Sequence, residues 1–169
     1  MRGITTNGSD FWIADVTDVF VYHVDRLGNN ITDGFSMIPL GASVLRGIAT
    51  NTSNDVPTDF WVQDDTEDLV YHVNRTGSAI DTGFSTYGFV GNGFSTAKLS
   101  VYTQSTGITT NGSDFWISSY ADSFVYHTNN SGGNITDGFS ISAIGSVNPD
   151  DLATNGSDFW ILNDGDNFV

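Results

Sequence analysis

Apolar residues in this chain come in short bursts separated by turns rich in Asn, Gly and Asp, and no stretch keeps a 3.6-residue period for longer than a turn. The first burst, Gly3-Ile4-Thr5-Thr6, is β-branched and runs into Asn7-Gly8. Both of those residues tolerate positive φ, so the pair predicts a strand closed by a two-residue hairpin turn. The second burst, Asp10-Phe11-Trp12-Ile13, puts large apolar groups on both faces of an extended chain, which predicts a strand packed on both sides. After the acidic turn Asp15-Val16-Thr17-Asp18, a third strand, Phe20-Val21-Tyr22-His23-Val24, supplies aromatic bulk to a core. The segment from Ile31 to Ser36 is more polar, as suits a fourth strand at an outer rim.

This pattern is then repeated. It opens at Gly3, Gly47 and Gly107 and starts again near Asp151, a spacing of about 44 to 60 residues. Asp10 to Ser36, Asp59 to Ser85 and Asp114 to Ser140 align without a gap, and a fourth copy matches from Asp158. Periods of this size belong to arrays whose units cannot bury their apolar faces alone. Four short antiparallel strands joined by tight turns make one propeller blade. The expected fold is therefore all-β, a β-propeller of four-stranded antiparallel blades. The repeats run over about 3–46, 47–106, 107–150 and 151–169, the last incomplete.

A Gly-Ile-x-x-Asn strand, an aromatic-aliphatic strand such as Phe11-Trp12-Ile13, an Asp-rich turn and a third strand carrying an aromatic follow one another in each of the three full copies. That order resembles NHL-type propeller repeats over nearly the whole chain. The resemblance implies the fold and leaves function open, because such propellers host binding modules, structural proteins, lyases and hydrolases alike.

Charge narrows the field. Five Lys and Arg against twenty Asp and Glu give a net charge of −15, which repels nucleic acid, phosphates and anionic membrane surfaces. Arg2, Arg26, Arg46, Arg75 and Lys98 are the only cations, too few to hold an anionic substrate. With no cysteine there is no disulfide framework and no thiolate chemistry. No apolar run approaches the roughly 20 residues that span a bilayer, so membrane insertion is not expected. Met1-Arg2 leads straight into the first repeat, so the sequence reads either as cytosolic or as a piece whose export signal lies outside it. The expectation carried forward is an extracellular or cell-surface protein.

Three sets of residues could carry chemistry. The acidic turns place Asp15, Asp18, Asp64, Glu67, Asp122 and Asp166 in related positions, and clustered oxygens suit a hard cation such as Ca²⁺. The competing reading is that each aspartate caps backbone N–H groups in its own turn. His23, His72 and His127 form a column that suggests metal or general-base chemistry, yet a catalytic group is needed once. A histidine in every blade is expected to pack and hydrogen-bond. Asn-x-Ser/Thr sequons at Asn7, Asn30, Asn51, Asn74, Asn111, Asn129, Asn134 and Asn155 are mostly copies of turn residues.

The second copy departs from the others by an insertion at Ser53 to Pro57 and a long connection from Thr86 to Thr106. That connection alternates enough for an extra hairpin and holds Lys98. It reads as a decorated edge. Blades left with uncovered end faces predict self-association, a homodimer completing a seven- or eight-bladed ring. Two functions follow: a non-catalytic module that binds protein or carbohydrate or serves as a scaffold, or a calcium-dependent propeller hydrolase or lyase with its site at the ring centre. Convergent carboxylates at the axis favour the enzyme; a channel lined by Thr, Ala and backbone favours the module.

Overall fold

The computed structural model describes residues 1–51, 57–66, 69–80, 104–145 and 148–163, with 93–95 as a strand. The first blade is β1 (Gly3–Thr6), β2 (Phe11–Asp15), β3 (Phe20–Val24) and β4 (Asn30–Ser36). The second is β5 (Leu45–Thr50), β6 (Asp59–Asp64), β7 (Leu69–Asn74) and β8 (Gly93–Ser95). The third is β9 (Ser105–Thr110), β10 (Asp114–Ser119), β11 (Phe124–Asn129) and β12 (Asn134–Ser140). A fourth begins with β13 (Pro149–Thr154) and β14 (Phe159–Asn163). Each sheet is an antiparallel meander in chain order, as expected for blades.

Two local expectations change. The hairpin between β1 and β2 pairs Thr6 with Phe11, so its loop is Asn7-Gly8-Ser9-Asp10 and not two residues. The Asn7 carboxamide oxygen accepts the N–H groups of Ser9 and Asp10 at 2.9 and 2.8 Å, while the Thr6 hydroxyl donates to the Asp10 carbonyl at 2.7 Å. An Asx turn thus does what a tight type I′ turn would have done. The same lock recurs at Asn111 and Asn155.

The second change is the outer strand of the second blade. The gapless alignment puts it at Ile80 to Ser85. The chain instead bridges Val73 to Ala79, and then pairs Leu69 with Ser95, Val70 with Phe94 and Tyr71 with Gly93. Gly-Phe-Ser occurs at both 83–85 and 93–95, and the later copy takes the place that Gly34-Phe35-Ser36 holds in the first blade. Within the long connection where an extra hairpin is expected, 93–95 pairs with β7 as the outer strand of the blade; 86–92 and 96–103, Lys98 among them, and the inserted residues 53–56 lie outside the described residues.

The core is three clusters, one between each pair of successive blades. Trp12, Ala14 and Val21 of the first blade meet Ile48, Phe60 and Val62 of the second. Ala49, Trp61 and Val70 meet Ile108, Phe115 and Ile117; Val125 and Trp116 meet Leu152 and Phe159. Burial tracks this stacking. β6, with a blade on each side, is buried from Phe60 to Asp64, whereas β2 hides Trp12 and Ala14 but leaves Phe11 and Ile13 half-buried.

The inner strands β1, β5, β9 and β13 pack side by side around a common axis. Glycine makes this possible at one recurring position. A Cβ at Gly47 would stand 2.7 Å from the backbone nitrogen of Ile108, which cannot move aside without shifting the next blade. Gly47→Ala is expected to lower stability by about 1 to 3 kcal/mol, read as a shift in denaturant midpoint with an unchanged slope.

Candidate sites at the axis, between blades and at the seam

The expected central channel is present as a cavity of about 170 Å³ walled by the four inner strands. Thr6, Thr50, Thr110 and Thr154 form one tier, and their hydroxyls are spent on their own hairpins, donating to the carbonyls of Asp10, Asp59, Asp114 and Asp158. Thr5 and Thr109 alternate with Ala49 and Ala153 in the next tier, followed by Ile4, Ile48, Ile108 and Leu152. This lining can hold neutral, hydroxyl-bearing groups by shape and weak polar contact. It offers no acid or base.

The acidic residues sit in the turns of their own blades. Asp15 accepts the N–H groups of Thr17 and Asp18 at 2.8 and 3.1 Å, and those bonds, Asp18 first, hold its carboxyl below the usual range. Asp18 accepts the Tyr22 hydroxyl at 2.7 Å. Asp64 is fully buried and accepts three amides, those of Ser43, Val44 and Thr66, at 2.5, 3.1 and 2.8 Å. Asp122 accepts the hydroxyls of Ser119 and Tyr126. Glu67 and Asp166 lie outside the described residues, among which no group of three His, Asp or Glu side chains is placed to share a metal ion.

The histidine column is a packing and hydrogen-bonding element. Cross-strand pairing sets each histidine beside a tryptophan, and the rings stack at 4.2 Å for Trp12 and His23, 4.6 Å for Trp61 and His72, and 4.4 Å for Trp116 and His127. His23 bonds Asp33 through Nδ1, and Arg75 of the second blade grips the same carboxylate at 2.6 and 3.0 Å. Partial burial opposes ionisation of Asp33, but the bonds from His23 and Arg75 outweigh it and keep that carboxyl low. His127 likewise bonds Asp137 through Nδ1.

His72 is the exception. In the gapless alignment Thr82 stands where Asp33 and Asp137 stand, because the second copy reads Asp81-Thr82 for Thr-Asp. Among the described residues His72 has the Asp59 carboxylate in range, 3.9 Å from Nε2, and burial lowers its pKa despite that neighbour. A neutral imidazole follows at pH 7. It borders a cleft of about 240 Å³ between the second and third blades, where Asp59, Asn51 and Asn130 face the rings of Trp61 and Phe115.

Two residues escaped the sequence reading. Gln63 is fully buried with neither side-chain polar atom hydrogen-bonded, in a column otherwise held by Ala14, Ser118 and Leu162. Asp151 occupies the column of Gly3, Gly47 and Gly107. Burial, aided by the neighbouring Asp150, pushes its carboxyl up to about 7, against the pull of the N–H groups of Leu152 and Ile4. The break in an otherwise constant glycine column was the available signal.

Because folding raises the Asp151 pKa from 3.8 to about 7, the folded chain holds this proton more tightly than the unfolded chain. The resulting stability is fully present below pH 3.8 and is lost as pH rises to about 7. Asp151→Asn cannot ionise and is expected to remove this slope. The limiting difference between variant and wild type is about 4 kcal/mol. Denaturant midpoints of both proteins at about pH 4 and pH 8 measure it, and parallel pH dependences would contradict the assignment.

No family model and no curated protein matches the sequence. Solved structures do match the fold. Virginiamycin B lyase from Staphylococcus aureus is similar with a TM-score of 0.53 at 17% identity, over 94% of this chain and 47% of that one. A streptogramin B lyase gives 0.56 at 12% identity, over 95% and 47%. The PQQ-bound aldose sugar dehydrogenase of Streptomyces coelicolor gives 0.51 at 10% identity, over 95% and 55%. The chain thus spans about half the length of the structures it matches. Identities this low carry the fold alone, and that fold is the β-propeller, here a partial ring of three to four blades.

Proposed function

We propose that this chain is a non-catalytic propeller module of NHL-like type that binds protein or carbohydrate at its loop-rich face, in an extracellular or cell-surface setting. The observation that carries the reading is the cleft beside His72. There one carboxylate, one neutral imidazole and two carboxamides meet two aromatic walls. Such a set suits a sugar ring or a polar peptide segment: Asp59 accepts hydroxyl or amide protons, Asn130 donates and accepts, and Trp61 and Phe115 supply apolar contact. The central cavity supports the same side, since its walls are threonine, alanine and aliphatic side chains. In the enzyme alternative, carboxylates converge on calcium at the axis; Asp15, Asp18, Asp64 and Asp122 are each engaged in turns of their own blades.

Glycan-array and peptide screening of the 169-residue chain, followed by calorimetry, tests the reading. Asp59→Asn and Asn130→Ala are each expected to weaken the ligand found by about tenfold, with little change in thermal midpoint. Calcium-dependent hydrolysis or elimination at the axis, with those variants fully active, would select the enzyme instead. Assembly is read separately by light scattering. A homodimeric ring has twice the 18.2 kDa of one chain, and a stably folded particle with the mass of one chain overturns the two-copy ring.

A further inference from the structure

The three joints between blades share one aromatic core, a tryptophan against the phenylalanine of the next blade: Trp12 and Phe60 at 5.3 Å, Trp61 and Phe115 at 4.9 Å, Trp116 and Phe159 at 5.3 Å. The first and second joints differ in what closes them further out. At the first, Arg75 reaches from the second blade to the Asp33 carboxylate of the first, donating from Nε at 3.0 Å and from a terminal guanidinium nitrogen at 2.6 Å. That carboxylate is the one bonded to His23, so a guanidinium clasps the joint beside the histidine. In the gapless alignment the same two columns read differently at the second joint: the Asp33 column holds Thr82 and the Arg75 column holds Asn130. Both charged members of the clasp are exchanged at one joint, and the cleft beside His72 lies at that joint.

What the exchange leaves is a set of acceptors with no cation among them. The Asp59 side chain is 31% exposed and stands 3.9 Å from His72 Nε2, beyond hydrogen-bond range, so its oxygens keep acceptor capacity. Asn130 is exposed and adds a carboxamide oxygen where the first two blades carry Arg26 and Arg75. Among the described residues no lysine or arginine lines the cleft, and the imidazole of His72 is neutral at pH 7. The aromatic walls are largely committed: His72 stacks on Trp61 with planes 6° apart, Phe115 leans on the same ring, and the two residues are 9% and 2% exposed. Little ring face is left for a pyranose to lie on, whereas the methylene stem of a long side chain needs only apolar edges. At about 240 Å³ the cleft is also smaller than the roughly 300 to 1,000 Å³ of sites that enclose a whole small molecule, which suits a single inserted side chain.

Taking the cleft as the binding site proposed above, we infer that it receives the guanidinium of an arginine side chain carried by a partner protein. The partner supplies from outside the group that Arg75 supplies from within the chain at the neighbouring joint. A guanidinium presents five N–H donors in a fixed planar fork, which matches the two oxygens of the Asp59 carboxylate and leaves donors for the Asn130 carboxamide. A lysine ammonium is a compact point charge and cannot make the paired contact. The net charge of −15 draws a cationic segment toward the chain, an attraction that weakens as salt is added.

The probes are a blocked Gly-Ser-Arg-Ser-Gly peptide, its counterparts with lysine or with the neutral isostere citrulline at the centre, and the methyl glycosides of glucose, galactose and mannose. Titrations of the isotope-labelled chain are followed by NMR at the Trp61 indole N–H and the Asn130 carboxamide. The arginine peptide is expected to shift both signals and to bind about tenfold more tightly than the lysine or citrulline peptide. Asp59→Asn is expected to weaken it by about tenfold. Asn130→Arg puts a guanidinium of the chain itself beside the cleft and is expected to abolish the titration. Thermal midpoints check that both variants fold, and the comparison of peptides needs no variant. A lysine or citrulline peptide that binds as well as the arginine peptide overturns the guanidinium and leaves peptide binding at the cleft standing. A glycoside that shifts these signals when the arginine peptide does not overturns it in favour of a sugar. Signals that no probe moves overturn both the guanidinium and the cleft as a binding site.

Discussion

The whole structure depends on sheets that are apolar on both faces. A four-stranded sheet with tryptophan on one side and phenylalanine on the other cannot exist alone in water, because either face left bare exposes a large aromatic surface. Stacking such sheets around an axis buries both, and the three clusters of this chain are the direct product. Everything else is subordinate to bringing those faces together: glycine at the inner edge, Asx turns at the hairpins, and histidine filling the space beside the indole rings of Trp12, Trp61 and Trp116.

Much of this was legible in the residues. Copies of Phe-Trp-Ile beside copies of Tyr-His name the paired strands, and the structure sets Trp12 opposite His23 and Trp116 opposite His127. The outer strand of the second blade was not legible, because Gly-Phe-Ser occurs twice and the later copy is the one that pairs with β7. Nor was the loop at Asn7, where Asn-Gly suits a two-residue turn and equally well a four-residue one led by the asparagine side chain. The inter-blade cleft joins residues from separate copies, and its shape comes from packing, which has no counterpart in a linear pattern.

Individuality in a repeat protein is carried by the copy that breaks the rule. His72 has lost the aspartate register that ties its two counterparts, and Asp151 stands in a column of glycines. Both exceptions are short in sequence terms, one exchange of neighbouring residues and one substitution. Each alters a polar balance in a dry place, where the low dielectric amplifies a small chemical difference.

The uniformity of the three joints has a consequence for how such a chain changes over generations. Since each blade recognises only the blade before and the blade after, and by the same rings each time, a duplicated or deleted phrase leaves every remaining joint intact. Ring size then becomes a heritable variable adjustable by one recombination event, with tolerance set by how well the terminal surfaces accommodate the new curvature.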